Sequence, residues 1–422
     1  MKAGLAEIDI TPPLGTRKIG WLKLIHGDRV LDPLFARVAV LDHGSQRWAV
    51  VQLDTLSVRW ETTLEVRRRV EAKYGFPGNN IMVTATHNHA GPATATIGDS
   101  AGEPEFLETL TQKIVSCFGQ ALEGSVASEV GIASMSEFGV GFNRRVVMRD
   151  GTVRTHGTFK DPNALCLEGP VDPELCVIAL RSTKGELLGA LVNFTCHPAH
   201  HGGDTVFSAG WPGCLAREMK SRGCPITMLI NGAQGNISTN EPMRGGIDHT
   251  MEEIGRTLAD DVSSLLPTLQ WRSSVKLGAK RAELSLPFRR VTEAEIAGKI
   301  RGAQRFIDPT IYDKKMPEVL RSIKEQGEQK CEVQALVLDE YACVGIPAEL
   351  FVELGLAIKE RAHPAHALVF GLANGMVGYV PHKAAFERGG YETTFFSSSK
   401  LAPEAGDMLV EAAVRLVAER SR

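Results

Sequence analysis

Short apolar runs recur along the chain, each closed by a Gly-, Pro- or Asn-bearing turn or followed by a charged amphipathic stretch. Phe35 to Leu41 and Trp48 to Leu53 read as paired strands joined by a turn at 42–45. Thr62 to Tyr74 reads as an amphipathic helix stopped by Gly75-Phe76-Pro77-Gly78. Ile81 to Thr86 is a strand and Glu103 to Leu122 a long helix. Val177 to Leu180 and Leu187 to Thr195 suggest a hairpin. Trp211 to Ser221 is a helix opened by Pro212, Ile226 to Ile230 a strand, and Met251 to Leu266 a helix. This alternation predicts an α/β (α+β) fold of layered mixed β-sheets flanked by helices.

Residues 270–340 follow a different rhythm. Val275 to Leu286 alternates like an antiparallel strand. Thr292 to Phe306 and Met316 to Glu328 read as charged helices, joined through Asp308-Pro309-Thr310. A strand pair follows at Val333 to Leu338 and Ala342 to Ile346. The expectation is one catalytic domain over 1–422, with a helical insert or lid at 287–331 and no C-terminal β-sandwich.

Composition narrows the function. The chain has 422 residues, 43% apolar and 23% charged, an ordinary soluble balance. A net charge of -3 with no basic stripe argues against nucleic acid as a partner. No apolar run approaches the roughly 18 residues of a membrane span, so no transmembrane segment is expected. The N-terminus turns acidic at Glu7 and Asp9, too early for a signal peptide, and the expected location is cytoplasmic. The eight cysteines form no CxxC, which fits buried reduced thiols better than disulfides or a four-cysteine zinc site. A small molecule is the expected partner, and a homo-oligomer is left open.

Chemistry collects where the apolar runs end. Thr86-His87-Asn88-His89-Ala90-Gly91-Pro92 follows Ile81-Met82-Val83 and sets two imidazoles two residues apart before a sharp turn. One can bind a metal while the other handles protons. Leu191 to Thr195 ends in Cys196-His197-Pro198. Met228-Leu229-Ile230 runs into the polar turn Asn231 to Ser238. Cys343-Val344-Gly345-Ile346 ends in Pro347-Ala348-Glu349. Val369-Phe370 leads through Asn374 to Tyr379, with Tyr391 twelve residues on. Strand ends are where an α/β enzyme builds a site. Phosphate cradling by the Asn231 to Gly235 turn is disfavoured, since the turn carries no lysine.

Taken in order, these motifs resemble the catalytic domain of the neutral/alkaline (non-lysosomal) ceramidase family. The resemblance rests on Asp9-Ile10-Thr11, Thr86 to Pro92, Asn143-Arg144, His197-Pro198, Gly235 to Asn240, Pro347-Ala348-Glu349, and the Tyr379/Tyr391 pair. It implies one Zn²⁺ per chain held by His87, His197, Glu349 and Tyr379, with an exchangeable position for water or substrate. It implies an acid–base role for His89, substrate and oxyanion binding by Arg144 and Tyr391, and a catalytic-site role for Ser238, as nucleophile or positioning group. The expected activity is zinc-dependent hydrolysis of an N-acyl amide by metal-activated water. An esterase or lactonase, or a non-catalytic ceramidase-like binding protein, are the alternatives.

Two departures stand out. Asn236 and Ala348 replace the Asp and Gly usual in the family, and Asn236 is expected to pin the Gly-rich turn. With no β-sandwich and no signal expected, the substrate is expected to be smaller and more soluble than long-chain ceramide. His200 and His201 follow the His-Pro turn as further ligand candidates, expected to stay outside the metal site.

Overall fold

A computed structural model describes residues 1–44, 46–306 and 309–419, with backbone alone at Ile247 and Asp248. Ser45 of the first hairpin turn and Asp308 of the join in the insert therefore lie outside the described residues. The fold is α/β, as the alternation predicts: two mixed sheets pack face to face and helices cover both outer faces.

The first sheet has eight strands, in the order Thr227–Asn231, Leu187–Phe194, Glu174–Ser182, Val126–Ser136, Lys2–Asp9, Phe35–His43, Gln46–Leu53 and Ile81–Ala85. Only the two outermost pairings are parallel. The second sheet has four: Leu277–Pro287, Glu328–Leu338, Tyr341–Ile346 and His366–Gly371, the last pair parallel.

The strands read as unbroken apolar runs because both of their faces are buried. Period-two alternation then sorts the side chains. Val38, Val40, Val51 and Val83 face the helices Trp60–Tyr74 and Pro104–Glu123. Ala39, Leu41, Val50 and Met82 face the second sheet and meet Leu336, Leu368 and Phe370. The indole of Trp48 crosses the gap and donates to the Val337 carbonyl at 3.0 Å. Gly210–Ser221 and Met251–Leu265 cover the other half of the first sheet. Val352–Arg361 and Ala405–Ala418 cover the second. Seven of the eight free cysteines are buried; Cys166 is exposed. No described helix is long and apolar enough to cross a membrane.

Two sheet strands have no counterpart in the sequence reading: Lys2–Asp9 and Val126–Ser136. Both are rich in Ala, Gly and Ser and carry no bulky β-branched run. What holds them is pairing on both sides, not propensity. The first expected helix of the insert also shrinks. It spans only Glu293–Ile296 behind a Thr292/Glu295 capping box, because Gly298 and Gly302 sit at φ +66° and +76° and turn the chain out of the helix. The second starts earlier than expected and runs Pro309–Gln326. Both lie between the strands Leu277–Pro287 and Glu328–Leu338, which pair in register from Leu277↔Leu338 to Pro287↔Glu328.

A buried asparagine ties the two sheets together beneath the site. Asn374, at φ +62°, accepts from Val83 N at 2.8 Å and donates to Gln334 at 2.8 Å and Glu332 at 3.0 Å. Glu332 in turn pairs with buried Arg67 at 2.8 Å. Asn374→Ala removes all three side-chain bonds and leaves buried polar groups unpaired. The expected loss is about 2–4 kcal/mol of unfolding free energy, read by denaturant titration at matched metal content. A change within error of zero would show that water replaces the amide.

Candidate metal centre

The site lies where parallel strand ends from both sheets meet. His87 follows Ile81–Ala85, His197 follows Leu187–Phe194, the Gly-rich turn follows Thr227–Asn231, and Glu349 follows Tyr341–Ile346. Asn231 holds two of these ends together: its amide donates to the carbonyls of Thr86 at 3.1 Å and Cys196 at 2.9 Å. The His-Pro turn then meets the HxH loop directly, with His89 N donating to Pro198 O at 3.3 Å. His87 adopts φ +68°, a left-handed conformation uncommon outside glycine, though histidine takes it more readily than most side chains. Asn88 braces that loop by donating to Ser208 O at 2.6 Å and accepting from Ala90 N at 2.8 Å.

Each of the three imidazoles has its Nδ1 against backbone carbonyl. His87 Nδ1 lies 2.9 Å from Leu56 O, His89 Nδ1 2.9 Å from Gly20 O, and His197 Nδ1 2.7 Å from Gln234 O and 2.9 Å from Ile237 O. A carbonyl only accepts, so Nδ1 carries the proton in all three rings and a neutral ring keeps its lone pair on Nε2. His87, His89 and His197 form a cluster whose ligating atoms lie within 4.8 Å of one another. The Nε2 atoms of His87 and His89 are buried with no hydrogen-bond partner.

Glu349 completes the cluster. Its Oε2 lies 3.2 Å from His87 Nε2 and 3.2 Å from His197 Nε2. Burial, followed by the Arg144 charge, pushes His197 down to about 3, so its ring is neutral. Burial, with His87 and His197 beside it, also pushes His89 well below the usual imidazole range. Burial alone would raise Glu349, but its contacts with His87 and His197 outweigh it and hold the carboxyl well below its ordinary value. The Nε2 of neutral His197 has no proton to donate to the Glu349 oxygen it faces, so its lone pair and the carboxylate repel unless a cation lies between them. Four-coordinate ligands at about 2.0–2.2 Å from a metal stand about 3.3–3.5 Å apart, close to both 3.2 Å separations. The donor set therefore fits a divalent ion of the zinc type.

Tyr379 is brought in by the second sheet's extension, where Glu349 pairs with it in a short parallel bridge. Its ring stacks 6.5 Å from that of His197. Burial, then Glu349, raises its phenol pKa well above normal. Tyr391 meets Tyr379 edge-on at 5.6 Å. Arg144 is buried and donates through Nη2 to the Tyr379 hydroxyl at 3.2 Å and to Gly235 O at 2.8 Å. These groups line a cavity of about 480 Å³ together with Trp21, Leu22, Leu56, Ile97 and Phe306. That size and apolar lining suit a small organic ligand.

Of the expected site residues, seven line this cavity: His87, His89, Arg144, His197, Glu349, Tyr379 and Tyr391. Ser238 does not. It sits in a β-bridge beside His197, and its hydroxyl accepts from Asn240 N at 3.4 Å. Asn236 pins the Gly-rich turn: it donates to Glu353 at 2.9 Å, accepts from Val352 N at 2.8 Å, and its carbonyl accepts from Arg144 N at 2.9 Å. His201 pairs with Asp204 at 2.7 Å, and His200 contacts His249 O at 2.8 Å; neither belongs to the imidazole cluster. Sequence reasoning missed Trp21, Phe306 and Glu392. Trp21 and Phe306 lie in segments with no strand-end signature, and Glu392 stands beside Tyr391 as one more charged residue.

A layered α/β scaffold here converges three imidazoles and a carboxylate at the floor of a largely apolar cavity, a donor set that could hold a metal ion. Comparison with known proteins specifies the scaffold. No family model matches the chain. The neutral ceramidase of Pseudomonas aeruginosa is 29% identical over 172 residues, 39% of this chain and 24% of that protein. The match thus spans well under two thirds of the relative. The crystal structure of a neutral ceramidase from Pseudomonas aeruginosa superposes with a TM-score of 0.74 at 19% identity, over 99% of this chain and 74% of that one. A ceramidase complexed with C2 gives 0.77 at 17% identity, over 100% and 75%. The chain is ceramidase-like in sequence and in fold, as its motifs suggest.

Proposed function

We propose that this chain is a zinc-dependent hydrolase that cleaves an amide bond in an N-acyl substrate smaller than long-chain ceramide. The observation that carries the reading is the apposition of His87 Nε2 and His197 Nε2 to one Glu349 oxygen at 3.2 Å, inside an apolar cavity. His87, His197, Glu349 and Tyr379 would hold the ion. Bound Zn²⁺ supplies Lewis acidity and a water acidified to near neutral pH.

The chain's own groups supply the rest. His89, fixed by its Nδ1–H on Gly20 O, offers Nε2 to take a proton from the attacking water and return it to the departing nitrogen. An amine is a poor leaving group unless protonated, so an acid at this position is what amide cleavage requires. Arg144 and Tyr391 donate to the carbonyl oxygen as negative charge develops on it. The walls formed by Trp21, Leu22, Ile97 and Phe306 receive the acyl part. Ser238 supports the His197 turn from behind. Esters and lactones present the same carbonyl to the same groups and are the alternative substrates. The relatives named neutral ceramidase support the reaction class.

The test is elemental analysis of the full chain purified without chelator, followed by a panel of N-acyl amides, esters and lactones. About one zinc per chain is expected, with the highest kcat/KM on an N-acyl amide of short or medium chain. Absence of bound transition metal, or turnover confined to esters and lactones, would overturn the reading. A specificity constant for long-chain ceramide above every smaller amide would overturn the substrate size.

A further inference from the structure

Behind the cavity wall, and reaching the cavity at Thr155, lies a buried ionic assembly that the proposed reaction has not used. Glu392 is wholly buried and divides its two oxygens between neighbours. Oε1 accepts from Arg144 Nε at 2.9 Å. Oε2 accepts from Arg145 Nη1 at 2.7 Å and from the Thr155 hydroxyl at 2.7 Å. Thr155 Oγ1 also accepts from the backbone N of Tyr391 at 3.1 Å, so one hydroxyl fixes both Tyr391 and the carboxylate after it. Arg145 is held in turn by Glu168 and by Gly389 O at 2.8 Å. The chain makes room for that guanidinium: a Cβ at Gly390, where φ is +103°, would lie 2.2 Å from Arg145 Nη1. Two arginines thus share one carboxylate, directly behind the two groups that face the substrate.

The consequence falls on Arg144. Its Nε is committed to Glu392, and its Nη2 to Gly235 O and the Tyr379 hydroxyl. Nη1 has no hydrogen bond to any described residue, and Arg144 lines the cavity. An arginine clamped at two nitrogens presents the third in a fixed direction, which is what preorganised stabilisation of an oxyanion needs.

We propose that Glu392, with Thr155 and Arg145, is a positioning residue that aims Arg144 Nη1 and Tyr391 at the anionic oxygen of a bound acyl group. This rests on the reading of the cavity as an acyl site. Octanoate, a medium-chain carboxylate, is a probe of that oxygen site that does not depend on turnover, and 1-octanol is its uncharged counterpart. In calorimetric titrations of the zinc-loaded full chain, Glu392→Gln is expected to weaken octanoate binding 10–100-fold, the range for outer partners of a site. Thr155→Val, which keeps both charges, should weaken it less than Glu392→Gln does. Zinc content should stay unchanged in both, and 1-octanol binding in Glu392→Gln; because Thr155 itself lines the cavity, Thr155→Val is read as a fall in octanoate affinity relative to 1-octanol.

The sign separates positioning from bulk charge. Removing a negative charge beside the cavity would by Coulomb attraction alone tighten octanoate. A weaker binding therefore reports lost aim, and an equal loss for 1-octanol would report a collapsed cavity and overturn the proposal. Unchanged or tighter octanoate in the variants, or no octanoate binding by the parent chain, would also overturn it. Should Glu392→Gln fail to fold, Thr155→Val decides alone. A parent chain whose octanoate binding depends on Glu392 but that cleaves no amide would refute the hydrolase and leave this inference standing.

Discussion

His87→Ala is expected to strip the metal and to lower amide hydrolysis by more than about 10⁴-fold, beyond the upper end of what a single acid–base group contributes. His87 is fixed at both its backbone and its ring. Its backbone is held at φ +68° by hydrogen bonds from its own strand end, with Thr86 N on Leu53 O and His87 N on Thr55 O. Its ring is held by Nδ1–H on Leu56 O, and Nε2 is left buried with no hydrogen-bond partner, 3.2 Å from an ionised Glu349 oxygen. Alanine removes that nitrogen and leaves the proposed set with His197, Glu349 and Tyr379 and a gap on the side of the HxH loop. Elemental analysis of the variant reads the metal directly, and the best amide substrate of the parent chain reads the rate. His43→Ala, whose ring contacts Val275 O far along the first sheet's strands, is the control and should keep both. Full zinc occupancy with an unchanged rate in His87→Ala would remove the proposed centre altogether.

The sequence was informative about this region for a physical reason. Strands buried on both faces must be continuous apolar runs, and such runs stop where the chain leaves the sheet. A histidine or glutamate placed just past the stop therefore marks a strand end, and His87, His197 and Glu349 are all of this kind. What could not be read is how distant ends come together. Nothing in residues 81–89 says that Thr86 shares Asn231 with Cys196, or that Gly20 supplies the carbonyl for His89. The strands Lys2–Asp9 and Val126–Ser136 were illegible because small residues give a weak pattern and their stability comes from neighbours on both sides. The helix expected at 292–306 failed on two glycines whose positive φ only the folded insert requires. Arg145 and Glu392 look like surface charge in sequence. Only their mutual burial, with side-chain exposures of 0%/0%, reveals a structural pair. Polar groups buried by pairing carry no periodic signature, so the positioning residues of a site are the part that sequence hides best.

His89→Ala should retain zinc and lose about 10²–10⁴-fold in rate. The geometry makes this the sharpest division within the site, because His89 belongs to the same imidazole cluster as His87 and His197. Two observations set it apart. The Glu349 oxygen that pairs with the other two rings makes no such contact with His89 among the described residues. It is also half-buried where His87 and His197 are buried, although its ring lies 4.8 Å from that of His87 and 5.8 Å from that of His197. Of the three rings, Glu349 thus pairs with His87 and His197 alone, and His89, the more exposed ring, is anchored through Gly20 to the loop that carries Trp21 and Leu22. A ring in that place can exchange a proton with a reacting group through Nε2 without holding the ion. If so, the variant's deficit should fall on turnover more than on binding, and added imidazole should restore part of the rate by occupying the vacated space. Zinc loss equal to that of His87→Ala would make His89 a third imidazole ligand and leave the proton transfer without a residue to perform it.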